Sequence, residues 1–218
     1  MGRESVEPKG VSQAVLGRLP VYLSYLKSQP LHFDASISAT TIASALNMGE
    51  VQVRKDLAAV SGGGKPKVGY AASELINDLE DFLGYRNSED AVVVGAGKLG
   101  LALLGYNGFI EYGFNIVAAF DANESIVSKS SDEKPIFHIS KFDDLCRRMR
   151  IRIGIITVPA AAAQSVCDMM INSGILAIMN FAPTHLRVPE NIALNNQNIA
   201  ADLAILRKRL TEKISGEK

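Results

Sequence analysis

An apolar run that ends in glycines constrains this chain more than any other part of it. Residues Ala91-Val-Val-Val-Gly-Ala-Gly-Lys-Leu-Gly100 set Gly-x-Gly-x-x-Gly directly behind a short hydrophobic stretch, the pattern of a buried strand turning into a helix over a nucleotide's phosphates. Gly95 permits the tight turn, Gly97 lets backbone approach a pyrophosphate, and Gly100 lets the helix pack closely on the strand. The phosphates then meet the helix's free N–H groups. Gly95, Ala96, Gly97, Lys98, Leu99 and Gly100 are therefore the first candidate binding residues. A glycine loop without a ligand satisfies the same string, so context decides. Asn115-Ile-Val-Ala-Ala-Phe-Asp121 reads as a second buried strand ending in an acid, 21 positions after Gly100. That is close to the spacing of about 20 at which a carboxylate accepts hydrogen bonds from an adenosine ribose. An acid there repels the extra phosphate of NADP, which favours NAD(H). The other reading of Asp121 is a strand-end acid capping the next turn.

Arg150-Ile-Arg-Ile-Gly-Ile-Ile-Thr-Val-Pro159 and Ala177-Ile-Met-Asn-Phe-Ala-Pro183 read as further buried parallel strands, the first followed by a helix from Ala160. Open α/β sheets bind ligands at strand carboxyl ends. Thr157, Val158, Pro159, Phe181, Ala182 and Pro183 are thus candidates for the nicotinamide half of the site, or else ordinary strand ends. The expected architecture of this half is a Rossmann-like parallel sheet in an α/β protein.

The first seventy residues follow a different rhythm. Ser12 can cap a helix carrying Ala14, Val15, Leu16, Leu19, Tyr22, Leu23 and Leu26 on one face. Pro20 either divides that helix or kinks it. A second helix begins at Ser38 and turns Ile42, Ala43 and Leu46 inward, and Asn47-Met-Gly49 breaks it. The third, residues 50 to 60, buries Val53, Leu57 and Val60 and leaves Gln52, Arg54, Lys55 and Ala59 on other faces. Two helices joined by a short turn, with cations on the second, describe a helix-turn-helix. Ser61-Gly-Gly-Gly-Lys-Pro-Lys67 then reads as a wing carrying Lys65 and Lys67, or as a linker with solvated lysines. Gln52, Arg54 and Lys55 are candidate base or phosphate contacts, Lys65 and Lys67 candidate phosphate contacts; a solvated helix face is the alternative.

Charge is distributed to match. The chain has 23 basic and 23 acidic residues among 218, yet residues 1 to 70 hold eight Lys/Arg (Arg3, Lys9, Arg18, Lys27, Arg54, Lys55, Lys65, Lys67) against five Asp/Glu (Glu4, Glu7, Asp34, Glu50, Asp56). With 47% hydrophobic and 21% charged residues, composition is that of a globular protein. The first ten residues lack an apolar signal core, and no run approaches the roughly 20 apolar residues of a membrane helix. Cys146 and Cys167 are too few for a disulfide framework and lack metal-ligand spacing. They are expected to pack as small apolar side chains in a reduced, cytoplasmic protein without metal or membrane.

Taken together, the chain resembles the Rex redox-sensing transcriptional repressors of bacteria. The resemblance is carried by Arg18-Leu-Pro-Val-Tyr22, Val53-Arg-Lys-Asp-Leu57, Val68-Gly-Tyr70, the glycine loop, Tyr106-Asn-Gly-Phe109, Phe120-Asp121, Asn180-Phe-Ala-Pro183 and Asp202-Leu-Ala204, in that order. It implies a winged-helix DNA-binding domain (1–72), a connecting helix (73–86), a Rossmann NAD(H) domain (87–197) and a C-terminal dimerisation helix (198–218). It further implies a homodimer that exchanges those helices, binds palindromic double-stranded operator DNA and is released by NADH. Tyr106 is then near the nicotinamide, and Arg18, Tyr106 and Asp202 form the switch, Asp202 changing partner between the other two. Without the resemblance, Arg18 and Asp202 read as surface charges. The wing and the stretch from Asn123 to Pro135 depart from the family's pattern.

The C-terminal stripe of Ile199, Leu203, Leu206 and Leu210 can pack on its own domain or insert between subunits; the resemblance favours exchange. Two other functions compete. An NAD-dependent dehydrogenase needs a proton donor beside the nicotinamide, and of His32, His138 and His185 only His185 is a candidate. A CoA-binding or scaffold protein could use the same glycine loop. The regulator reading assigns no catalytic residue.

Overall fold

The computed structural model describes residues 11–30, 35–127 and 134–216. Within it the chain divides into two compact units, Met1–Asn87 and Ser88–Lys218. His32, the charges Arg3, Glu4, Glu7, Lys9 and Asp34, and residues 128–133 of the divergent stretch lie outside the described residues.

The first unit is built on α1 (Gln13–Ser28), whose N-terminus is capped by the Ser12 hydroxyl accepting from the Val15 N–H. Leu19, Tyr22, Leu23 and Leu26 form its buried stripe. Pro20 lies within an uninterrupted helix; its ring nitrogen merely leaves the Leu16 carbonyl without an intrahelical donor. Ser38 caps α2 (Ala39–Ala45) through the Thr41 N–H, and α3 (Glu50–Val60) follows the turn. Ile42, Val53 and Leu57 are fully buried between them, while Leu46 and Val60 are only partly so. β1 (Ser36–Ile37) pairs antiparallel with β2 (Tyr70–Ala71), and a bridge between Lys65 and Gly69 closes a hairpin with Lys67 at its tip. α4 (Ala72–Leu83) turns Leu75 and Leu79 into the same core and ends at Gly84 in the left-handed conformation. Two helices with a hairpin wing define a winged-helix unit.

The second unit alternates strand and helix: β3 (Glu89–Val94), α5 (Lys98–Leu104), β4 (Phe114–Asp121), α6 (Glu124–Val127), β5 (Ile136–His138), α7 (Phe142–Met149), β6 (Ile153–Ile156), α8 (Ala160–Asn172), β7 (Ala177–Asn180), β8 (Ala193–Asn196) and α9 (Ile199–Gly216). The sheet order is β5-β4-β3-β6-β7-β8, parallel throughout. The chain winds outward from β3 to β5, then returns to the other side of β3, which makes the β3/β6 boundary a switch point. Successive strand residues feed opposite layers. Val92, Val94, Phe120 and Ile156 pack with Phe142, Cys146, Cys167 and Met170, whereas Ala91, Val93, Ala119 and Ile155 pack with Leu104. Covered on both faces, the central strands are uninterrupted apolar runs, as parallel sheets require. Both cysteines are buried here, and burial pushes the Cys146 thiol up to about 12.

α9 is different. Ile199, Leu203, Leu206 and Leu210 are each more than half exposed, so the stripe does not pack on its own domain. No helix among the described residues is long and apolar enough to cross a membrane.

Candidate nucleotide and nucleic-acid sites

At the carboxyl end of β3 the chain turns into α5 with Gly95 at φ 103°. A Cβ on Gly95 would come within 2.9 Å of the Thr157 backbone, and one on Gly100 would lie 1.9 Å from the Gly95 carbonyl. Gly97 has nothing within 4 Å of that position, which leaves its face of the loop open. The three glycines thus divide the work between turn, open face and helix packing. Just past β6, the Thr157 hydroxyl donates to the Gly95 carbonyl at 2.7 Å and holds the loop from below.

Asp121 ends β4 beside the loop. Its Oδ2 accepts from the Ala96 N–H (2.7 Å) and its Oδ1 from the Asn123 N–H (2.8 Å). The carboxylate therefore ties the glycine loop to the following turn, and each oxygen retains lone-pair capacity for a hydroxyl donor. The turn-capping reading of Asp121 is met by the bond from Asn123, and it leaves acceptor capacity on the carboxylate.

These strand ends enclose a cavity of about 590 Å³, a volume in the range of cofactor sites. Gly95, Gly97, Asp121, Thr157, Val158, Pro159, Phe181 and Pro183 line it. Among the other candidates, Ala96 and Ala182 are buried behind the wall, Gly100 lies under the loop, and Lys98 and Leu99 are exposed on the first turn of α5. Tyr106, 57% exposed, stacks edge-on against Phe109 and is not part of the wall. Val94, at the end of β3, and Ala122, Ile126, Ile139, Ala162 and Val166 complete the lining. Sequence reasoning missed the last five because nothing but topology brings their helices and turns to one opening.

In the first unit Arg54, Lys65 and Lys67 come together. They line a cleft of about 620 Å³ with Ser38, Thr40 and Tyr70, between the start of α2, the outer face of α3 and the hairpin. Arg54 pairs with Glu50 one turn earlier, and Lys55 is exposed on the same helix. Gln52 is turned elsewhere. With its amide oxygen toward α1, it accepts from Arg18 Nη1 (3.1 Å) and Nε (2.8 Å).

Arg18 itself is anchored on α3. Its Nε and Nη2 donate to the two oxygens of Asp56 at 2.6 and 2.9 Å, and the Tyr22 hydroxyl donates to Asp56 Oδ2 at 2.8 Å. Asp56 is only 4% exposed. Burial pushes its carboxyl up, but the hydrogen bonds from Arg18 and Tyr22 and the Arg18 charge outweigh this and leave it below the usual range. Burial and then the Asp56 carboxylate push Tyr22 up to about 12. The hydrogen bond to Asp56 raises Arg18 further. Asp56 is the buried acid that holds Arg18, and sequence reasoning passed over it. Its spacing from Val53, Leu57 and Val60 puts it on the buried face, and only its charge hid this. Asp202, by contrast, is exposed in the first turn of α9.

Two family models match the chain: a CoA binding domain over residues 86–184 and a putative DNA-binding protein N-terminus over residues 10–58. The redox-sensing transcriptional repressor Rex of Porphyromonas gingivalis is 43% identical over 202 residues, 92% of each chain. Its counterpart in Bacteroides fragilis is 40% identical over 92% of this chain and 91% of that one. Among solved structures, RSP in complex with beta-NAD+ and operator DNA matches with a TM-score of 0.87 at 32% identity, covering 96% of both chains. RSP in complex with beta-NADH matches at 0.85 and 31%, covering 95% of this chain and 97% of that one. A winged-helix unit followed by a Rossmann unit with a dinucleotide-type glycine loop defines a class, the nucleotide-responsive transcription regulators. Within that class, the chain belongs to the Rex family of redox-sensing transcriptional repressors. It is a regulator and not an enzyme.

Proposed function

We propose that this chain is a homodimeric, cytoplasmic repressor that binds palindromic operator DNA and lets go when NADH occupies the cavity at the strand ends. The observation that carries this reading is the convergence, on one cavity at the switch point, of the open loop face at Gly97, the Asp121 carboxylate and the strand ends Thr157–Pro159 and Phe181–Pro183. Gly95 to Gly100 take the pyrophosphate, Asp121 the adenosine ribose, and the two strand ends face the nicotinamide, with Ala96, Lys98, Leu99, Tyr106 and Ala182 supporting them. When bound, NAD(H) supplies a change of ring charge with redox state; the chain's own residues convert that into a change of shape.

On the DNA side, Arg54 and Lys55 reach base edges or phosphates, and Lys65 and Lys67 fix register on the backbone. Gln52 joins them only by leaving Arg18. The switch reading assigns Asp202 an exchange of partner between Tyr106 and Arg18, and Arg18 then enters from its existing hold on Asp56. A ligand shifts such an equilibrium only by its difference in affinity for the two states.

The test is operator binding at fixed salt, first with NAD+ and then with NADH. Relief of binding by NADH is the expected result; DNA binding indifferent to both nucleotides would overturn the reading. Competition by CoA for the NADH site would favour the CoA alternative. For the dehydrogenase, His138 is engaged with Ser140 and His185 is outside the cavity wall, so no turnover of NADH on carbonyl substrates is expected.

A further inference from the structure

Asn180 ends β7 completely buried. Its Oδ1 accepts from the Ala182 N–H at 2.9 Å, and its Nδ2 lies 2.8 Å from the Thr184 carbonyl and 3.3 Å from that of Ala182. These bonds fasten the turn that carries Phe181 and Pro183, both part of the cavity wall. A turn buttress is complete with them. One more bond leaves the turn: Nδ2 also donates to Oδ1 of Asn196 at 2.9 Å, its register partner on β8. The amide has two protons, and its two shortest acceptors are Thr184 and Asn196, so one proton serves the cavity turn and the other the neighbouring strand.

Three residues beyond Asn196 the chain enters α9. Gln197 N–H donates to the Asn180 carbonyl at 2.8 Å, the Asn198 side chain accepts from the Ala201 N–H at 3.0 Å, and the Asn198 carbonyl accepts from the Asp202 N–H at 3.1 Å. Hydrogen bonds from Asn180 to Asn196 and Gln197, the peptide links to Asn198, and the bonds Asn198 makes to Ala201 and Asp202 therefore join the cavity wall to the first turn of the helix that carries Asp202.

We propose that Asn180 is a positioning residue that couples the contacts made at Phe181 and Pro183 to the placement of α9 through its bond to Asn196. The proposal rests on the cofactor reading above. A ligand that meets Phe181 and Pro183 differently in its two redox forms displaces the turn. Close-packed interiors transmit such displacements, and an amide with both protons committed carries Asn196 with it. Spatial continuity alone does not establish coupling, so the test is a coupling measurement.

Asn196 is exposed and outside the cavity wall, so Asn196→Ala removes this one bond and leaves the turn intact. In the full chain, NADH affinity is measured by fluorescence titration, and affinity for a labelled palindromic operator duplex with and without NADH. Asn196→Ala should bind NADH within about twofold of wild type, while the factor by which NADH weakens operator binding falls about fivefold, the weight of one hydrogen bond. Asn196→Asp keeps an acceptor toward Asn180 and should restore the wild-type factor. A responsive wild type with an equally responsive Asn196→Ala overturns the link, as does an equal loss in Asn196→Asp or a proportional loss of NADH affinity. A wild-type chain whose operator affinity ignores NADH overturns the functional reading, and the link with it.

Discussion

A carboxylate that is 4% exposed and held by a guanidinium and a phenol makes the first unit dependent on pH at both ends. The Asp56 carboxyl lies below its ordinary value of about 4, so its contribution is present above that pH and is lost as pH falls through the folded value. Tyr22, pushed up to about 12, contributes below the ordinary phenol value of about 10 and loses that contribution as pH rises toward 12. Asp56→Asn should lower stability at neutral pH by about 1–3 kcal/mol, because it leaves buried donors poorly matched, and should flatten the acid limb. Urea midpoints at pH 4 and pH 7 measure both effects. Gly100→Ala is the corresponding probe in the second unit. The added methyl, 1.9 Å from the Gly95 carbonyl, forces α5 off the loop. NADH affinity should fall by at least tenfold, about 1.4 kcal/mol, as read by fluorescence titration.

Elements were more legible than side-chain partners. The caps at Ser12 and Ser38, the limits of α3 at Glu50 and Val60, and the acid closing β4 follow from local rules, because capping and apolar periodicity act within a few residues. Pro20 was ambiguous for the same reason: locally it permits a break or a continuous helix, and the burial of Leu19, Tyr22, Leu23 and Leu26 along one stripe keeps α1 whole. Gln52 and Lys55 are both exposed polar residues of α3, yet one is engaged by α1 and the other faces solvent. No pattern within α3 distinguishes them. The hairpin from Lys65 to Gly69 gives its lysines a testable role as an element. Replacing Lys65 or Lys67 with Ala should reduce the slope of log affinity against log salt by about 0.9 for each phosphate that is no longer neutralised. Titrations of operator affinity over salt concentration would show it, and an unchanged slope would leave these lysines as solvated charges.

For the whole molecule, the uncovered stripe of α9 matters most. Six apolar side chains between Ile199 and Ile214 are more than half exposed, and a homodimer that shelters them is part of the proposed function. Leu206→Glu should yield a monomer in sedimentation experiments, with operator affinity weakened because a palindrome needs two copies of α3 at fixed spacing. Asp202→Ala should instead remain dimeric, bind NADH near normally and lose much of its NADH response; an intact response would remove Asp202 from the switch.

By itself, the order of residues determined the two kinds of unit, the glycine loop with its acid, the cations of the third helix and the family resemblance, because each depends on spacing along the chain. Tertiary structure alone decided that Arg18 rests on Asp56 and Gln52, that Thr157 supports the glycine loop, that Ile126, Ile139 and Val166 join the cavity wall, and that Asn180 ties that wall to the strand before α9. Those partners lie up to 62 residues apart in the chain. Only the winding of strands and packing of helices can bring them within the roughly 3 Å at which a hydrogen bond forms.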